Sequence, residues 1–250
     1  MERWVKGILI ILLTGLLILT FVPVTFALTA EEIMDRRDEN EYLGSAYMEA
    51  EMIIEGRRRQ EKSLLSYSQG DRALIEFTSP RDRGTKYLKR GDDLWMFFPD
   101  AEEEVHISGH MLRQDMMGSD FSYQDMMEEE KLTDLYEFEL LEEDELDGRS
   151  VYVLRGTARE GEEPSYHERK LWIDSERFIG LREELYAANG RLLKISRTKK
   201  VQEFAGDRWY PVEMVMEDQL KEDTRTVFRI TELEFDVEIP EGTFSRDGLR

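Results

Sequence analysis

From Ala46 to Ile54 the side chains alternate, with Ala46, Met48, Ala50, Met52 and Ile54 set against Tyr47, Glu49, Glu51 and Glu55. A period of two sends successive side chains to opposite faces, so the segment reads as a β-strand with one buried and one solvated face. The pattern returns at Ala73-Ile75-Phe77, Tyr87-Leu88, Leu94 to Phe98, Val105 to Ile107, Tyr136-Phe138-Leu140 and Val151-Val153. It continues through Leu171-Ile173, Ile179 to Leu185, Leu193-Ile195, Tyr210 to Met216 and Val227 to Phe235. Turn residues fill the gaps: Gln69-Gly70-Asp71, Gly91-Asp92-Asp93, Asp147-Gly148, Asn189-Gly190 and Ala205-Gly206-Asp207. Asn-Gly between two alternating runs is a strong hairpin signal, because both residues tolerate the positive φ of a tight hairpin turn. So many short strands in a meander predict a mainly β protein, a curled antiparallel sheet forming an incomplete, unclosed barrel.

Residues 1–27 have the layout of a secretory signal: Arg3 and Lys6, an apolar run over 7–22, then Pro23 and the small-residue site ending at Ala27. The apolar run falls short of the roughly 18 to 20 residues that cross a bilayer, which favours cleavage over a retained anchor as the alternative. Cleavage leaves residues 28–250 as a single domain, exported and soluble in the periplasm. The chain has no cysteine, which excludes a lipidated cysteine, disulfides, thiolate metal sites and a cysteine nucleophile. A formal charge of −21 argues against nucleic acid as a partner. It also argues against passive attachment to an anionic membrane, which uses Lys and Arg clusters. After the signal, Thr29 followed by Glu32 is a capping box and predicts a first helix over 28–41. The acidic patches Glu102–Glu104, Glu128–Glu130 and Glu142–Glu145 read as solvated faces.

The alternation lapses between Ile107 and Leu135, a gap too long for an ordinary hairpin loop. This insert is too apolar for a disordered loop, and five of the twelve methionines lie between Met111 and Met127. Ser122 with Asp125 predicts a helix start within it, so the insert reads as a helical flap over one face of the sheet. Methionine is flexible and polarizable and adapts to irregular apolar partners. Met111, Met116, Met117, Phe121 and Met126 of the flap are therefore candidate contacts for a hydrophobic ligand. Met48, Met52, Met214 and Met216 on the strands are candidates for the same cavity. Trp95 and Phe97 join the set from Leu94-Trp95-Met96-Phe97-Phe98, whose two faces must both be covered; the pattern leaves open which one looks inward. The competing reading makes all of these ordinary core.

Catalytic signatures are missing. His106 and His110 are separated by Ser108-Gly109 and have no third ligand at a metal-binding spacing. The chain has no G-x-S-x-G elbow, no H-E-x-x-H pair, no phosphate-binding glycine loop and no EF-hand loop. A non-enzymatic binding protein without cofactor is the expectation.

Three blocks resemble a known family: Phe77-x-x-Pro80-x-x-x-Gly84-Thr85-x-Tyr87-Leu88, Asp93 to Pro99, and Met117-Gly118-Ser119-Asp120-Phe121-Ser122-Tyr123-x-Asp125, with softer agreement at Leu171 to Asp174. In these the chain resembles the LolA-like outer membrane lipoprotein-sorting proteins. The resemblance implies an incomplete LolA/LolB-like barrel with lid helices and an apolar cavity for the acyl chains of lipoproteins or lipids. It further implies a shuttle role, with an inner-membrane exporter and an outer-membrane acceptor as partners. A periplasmic adaptor of a membrane transporter is the alternative. The resemblance assigns no individual cargo-binding residue, and Gly118 to Phe121 reads as a structural turn.

Overall fold

The computed structural model describes residues 28–127, 131–162 and 164–249; the expected signal over 1–27 and the acidic run Glu128–Glu130 lie outside them. Helix α1 (Ala30–Glu41) opens with the reciprocal cap expected of Thr29 and Glu32, in which each side chain accepts the other's backbone N–H, at 3.2 and 2.8 Å. The first meander comprises β1 (Ser45–Glu55), β2 (Gln60–Gln69), β3 (Arg72–Phe77), β4 (Lys86–Arg90), β5 (Asp93–Phe98) and β6 (Glu103–Ile107). The insert carries two 3-10 turns, Gly109–Arg113 and Met116–Gly118, then α2 (Tyr123–Met127) and α3 (Leu132–Leu135). A second meander comprises β7 (Tyr136–Leu146), β8 (Arg149–Ala158), β9 (Glu168–Asp174), β10 (Gly180–Tyr186), β11 (Leu192–Phe204), β12 (Arg208–Asp218) and β13 (Arg225–Phe235). A short α4 (Arg246–Leu249) ends the described chain.

All thirteen strands form one antiparallel sheet in the order β6-β5-β4-β3-β2-β1-β13-β12-β11-β10-β9-β8-β7. The first and last strands pair at the centre, Met52 opposite Phe228 and Ile54 opposite Thr226, so each meander runs outward to a free edge. β6 and β7 are those edges, and they are not paired, so the sheet is an unclosed barrel. Ile107 on β6 and Leu185 on β10 nevertheless share one apolar core, which strands so far apart in the order can do only if the sheet curls.

Register assigns the faces. Ala50, Met52 and Ile54 stand beside Leu64 on β2, then Ile75 and Phe77 on β3, Tyr87 on β4, Leu94 and Met96 on β5 and Ile107 on β6, all on the concave side. The convex side of β3 to β5 carries Leu74, Leu88 and Phe97, covered by Phe244 and Leu249 from the C-terminal segment. A third core joins Ile33 and Met34 of α1 to Leu132, Tyr136, Leu154, Leu171 and Ile173, so α1 lies over the β7–β9 part of the sheet.

Strand β2 is a departure from the sequence expectation, which placed only a turn between β1 and β3. Its concave residues are Lys62, Leu64, Ser66 and Ser68, all buried and three of them polar, so no apolar alternation announces it. Lys62 Nζ reaches Asp82 at 2.9 Å, which satisfies the buried charge.

The β9–β10 turn is fixed by Asp174, whose side chain is 1% exposed and accepts the backbone N–H groups of Glu176 and Arg177 at 3.0 Å and the Arg149 guanidinium. Burial works to raise the Asp174 carboxyl; the Arg149 hydrogen bond and the two N–H donors outweigh it and hold the carboxyl below its ordinary value. A depressed carboxylate stabilises the fold above its unfolded pKa of about 3.9, and that contribution is lost as pH falls through the lower folded value. Comparing the native chain with Asp174→Asn by urea unfolding across pH, the stability difference is expected to be largest near neutrality and to shrink in acid. A difference constant with pH would contradict this reading.

Candidate functional site: an apolar flap over the concave face

The insert leaves β6 at one end of the sheet and enters β7 at the other, so it crosses the concave face diagonally. Two stretches of it do the covering. Between Asp115 and Ser122 the backbone doubles back through an isolated bridge, with Met116 N–H donating to the Phe121 carbonyl at 2.8 Å. The tip of this loop needs left-handed backbone at Met117 (φ 54°) and Gly118 (φ 78°), which glycine adopts freely and methionine does not. Ser119 closes the loop by donating its hydroxyl to the Met116 carbonyl at 2.7 Å. Beyond it, Ser122 and Asp125 cap α2 reciprocally, at 3.1 and 2.6 Å, the helix start predicted from these two residues. Among the described residues of the insert, the helical content is confined to two 3-10 turns, the five residues of α2 and the four of α3.

The apolar side of the flap is packed into the sheet. Met116 and Phe121 are buried against Met52, Ile75, Tyr87, Met96, Met216 and Phe228, with the Phe121 and Phe228 rings edge to face at 6.1 Å. Met48, Met111, Met117, Met126 and Met214 are partly buried around the same core. Nine of the eleven candidate residues thus come together. Trp95 and Phe97 do not: they point to the convex side and pack beneath the C-terminal segment, since Leu94 and Met96 take the concave positions on β5. The space left between the flap and Ala73, Ile75, Tyr87, Lys89, Leu94 and Met116 is about 10 Å³, roughly one water-sized void. A roomier cleft of about 200 Å³ opens beside the end of α1 and is lined by polar groups, among them Arg37, Asp38, Glu41, Ser68 and Tyr210.

Polar contacts pin the flap through residues whose sequence pattern announces no such role. Asp120, 1% exposed, accepts the hydroxyls of Thr226 at 2.7 Å and Thr224 at 2.8 Å, while its own N–H donates to Thr226 Oγ1 at 2.9 Å. Lys221, in the turn before β13, bridges Asp115 at 2.8 Å and the Ser119 carbonyl at 3.0 Å. Asp125 forms a buried ion pair with Lys194 of β11 at 2.6 Å and accepts the Tyr166 hydroxyl at 2.6 Å. Glycine in the family block forms the turn; the aspartates on either side of Phe121 hold it to the sheet. In the sequence Asp125 signalled only a helix start and Asp120 only part of the Gly118–Phe121 turn.

Removing one member of a buried ion pair leaves the other charge uncompensated and costs about 3–5 kcal/mol. Asp125→Ala is therefore expected to raise amide hydrogen exchange across residues 111–126 while β1, β2 and β13 stay protected. Loss of protection spread evenly over the sheet would show that the pair supports the fold as a whole and not the flap.

Among the described residues, no cluster of three or more His, Cys, Asp or Glu is arranged to hold a metal ion, and no helix is long and apolar enough to cross a membrane.

Comparison with known proteins places the architecture. A family model described as "Uncharacterized protein" matches residues 69–250. No curated protein matches the sequence. Among solved structures, a DUF1329 family protein from Desulfovibrio piger is 27% identical, with 88% of this chain and 98% of that one covered at a TM-score of 0.81. An outer membrane lipoprotein-sorting protein domain from Vibrio parahaemolyticus shares the fold at 24% identity, covering 87% and 97% with a TM-score of 0.77. A LolA superfamily protein from Nitrosomonas europaea is 25% identical over 89% of this chain and all of that one, with a TM-score of 0.74. Matched over residues 69–250, the chain belongs to the family that this model describes, and its fold is LolA-like.

Proposed function

We propose that the protein is an exported carrier, a single domain over residues 28–250 once the signal over 1–27 is removed, which shuttles acyl chains of lipoproteins or lipids between membranes. The observation that carries the reading is the flap: an apolar, methionine-rich segment laid over an apolar concave face and fastened by a few polar contacts. Met116 and Phe121 occupy the place that an acyl chain would take, so loading means exchange of one apolar occupant for another. Each methylene buried returns about 0.8 kcal/mol, enough for a chain of ordinary length to compete with the flap. Methionines suit this exchange because their side chains repack around ligands of differing shape. The mechanism is binding and release with no bond made or broken. Similarity to the lipoprotein-sorting domain and the LolA superfamily protein supports lipoproteins or lipids as cargo, with an inner-membrane exporter as donor and an outer-membrane acceptor as recipient.

One observation favours a second reading. The void directly beneath the flap is about 10 Å³, so the space under the flap itself is filled as it stands. A protein whose interior stays filled would serve as a non-enzymatic adaptor of a membrane transporter.

Native mass spectrometry of the chain purified without its first 27 residues, followed by lipid extraction, separates the two. A stoichiometric acyl species supports the carrier; a clean apo mass that also refuses added lipid supports the adaptor. Met116→Asp with Met117→Asp is expected to abolish acyl binding while circular dichroism still reports the sheet. Undiminished binding by the folded double variant would take the flap out of the mechanism.

A further inference from the structure

One end of the sheet gathers four arginines that have no ion-pair partner among the described residues, a feature that the overall composition conceals. β1 ends at Glu55 and β2 begins at Gln60, so the tip between them presents Arg57, Arg58 and Arg59, all exposed. β3 ends at the same level, where Phe77 pairs with Leu64, and the loop after it exposes Arg81 and Arg83. Arg59 is paired with Glu61 at 2.6 Å. Among the described residues, Arg57, Arg58, Arg81 and Arg83 have no ion-pair partner within 4.0 Å. The acids nearest in sequence are already engaged, Glu55 by Arg225 and Asp82 by Lys62. Asp100 and Glu102 lie in the β5–β6 turn, and Glu222 and Asp223 in the β12–β13 turn, on either side of the arginines.

The same end exposes apolar side chains. Four large hydrophobic residues are exposed in the described chain, and two of them are at this end: Phe98 at 38%, the last residue of β5, and Leu220 at 52%, in the β12–β13 turn. The turns are in contact with the arginine loops. The position of a Cβ on Gly56 would lie 3.4 Å from Thr224, and that on Gly84 3.5 Å from Pro99. Thr224 in turn holds Asp120 of the flap. The arginine tip therefore abuts one of the flap's fastenings.

We propose that this end of the sheet, through Arg57, Arg58, Arg81 and Arg83 with Phe98 and Leu220, docks on the surface of an anionic phospholipid membrane. Unpaired guanidinium groups bind phosphate by two parallel hydrogen bonds, and a protruding leucine and phenylalanine enter the interfacial layer beneath the headgroups. The net charge of −21 does not forbid this, because at physiological salt the Debye length is about 8 Å and distant acids are screened. Docking would place the flap's Asp120 fastening at the membrane, where acyl chains are taken up or delivered. Vesicle binding and acyl loading are separate measurements, so either can fail alone.

The test is co-sedimentation of the chain from Leu28 with vesicles of equal parts phosphatidylglycerol and phosphatidylcholine, and with vesicles of phosphatidylcholine alone. Binding is expected to the anionic vesicles only. At about 1 kcal/mol per basic residue near the surface, the variant R57Q/R58Q/R81Q/R83Q should lose at least about tenfold in affinity. The variant R90Q/K199Q/K200Q/K131Q, with the same loss of charge at other positions, should bind as the native chain does. F98S/L220S should also weaken binding, and thermal melting monitored by circular dichroism confirms that each variant is folded. Equal binding to both vesicle types, equal loss in the two charge variants, or unaltered binding by R57Q/R58Q/R81Q/R83Q would overturn the proposal. So would no binding by the native chain, which would turn the arginines toward an acidic protein partner.

Discussion

The pairing of β1 with β13 is the constraint on which the rest of the molecule depends. With the first and last strands joined at the centre, the two meanders can only spread to opposite free edges. The chain must then travel from β6 to β7 across the sheet. A curled sheet offers its concave side for that crossing, and the apolar residues there require cover from water. The insert supplies both the connection and the cover. Its length is a consequence of topology, and its apolar composition a consequence of the face it crosses.

A flap that is apolar on its inner side could slide or repack, since dispersion and hydrophobic burial are non-directional. The buried aspartates remove that freedom. Asp120 has a fixed place between Thr224 and Thr226, and Asp125 must meet Lys194, because neither carboxylate can be left buried and unpaired. Adhesion and registration are thereby divided between two kinds of side chain. The methionines give an adhesive interface without direction, and the aspartates fix its position on the sheet.

Much of the fold was legible in the sequence where a strand had one wet and one dry face. β1 is legible because Glu49, Glu51 and Glu55 face outward while its inward residues are apolar, although Tyr47 and the buried Ile53 share the outward face. β2 was not legible, because its inward side carries Lys62, Ser66 and Ser68, buried in the protein interior and indistinguishable in a hydropathy pattern from solvent-facing residues. The two faces of Leu94 to Phe98 could not be assigned either: both are covered, one by the flap and one by the C-terminal segment, and only register with Tyr87 and Lys89 decides between them. In the flap the methionines pointed to their cluster, since composition reports on burial. The pinning role of Asp120 and Asp125 depends on partners that lie 41 to 106 residues further along the chain, and no local pattern reveals those. The arginine cluster was hidden for the opposite reason, as a total charge of −21 averages away four arginines that folding collects.

In the proposed carrier the flap occupies the place of a ligand and lifts to admit one. With no native cysteine, two introduced ones carry spin labels without further change to the chain: Gln114→Cys on the exposed side of the flap and Glu232→Cys on β13. Pulsed electron–electron spin resonance between them, with and without a saturating long-chain acyl ligand whose binding is verified separately, reads the flap position directly. A single short distance is expected in the empty protein, and a longer population once ligand is bound. One unchanged distance distribution in the loaded protein would contradict a flap that lifts.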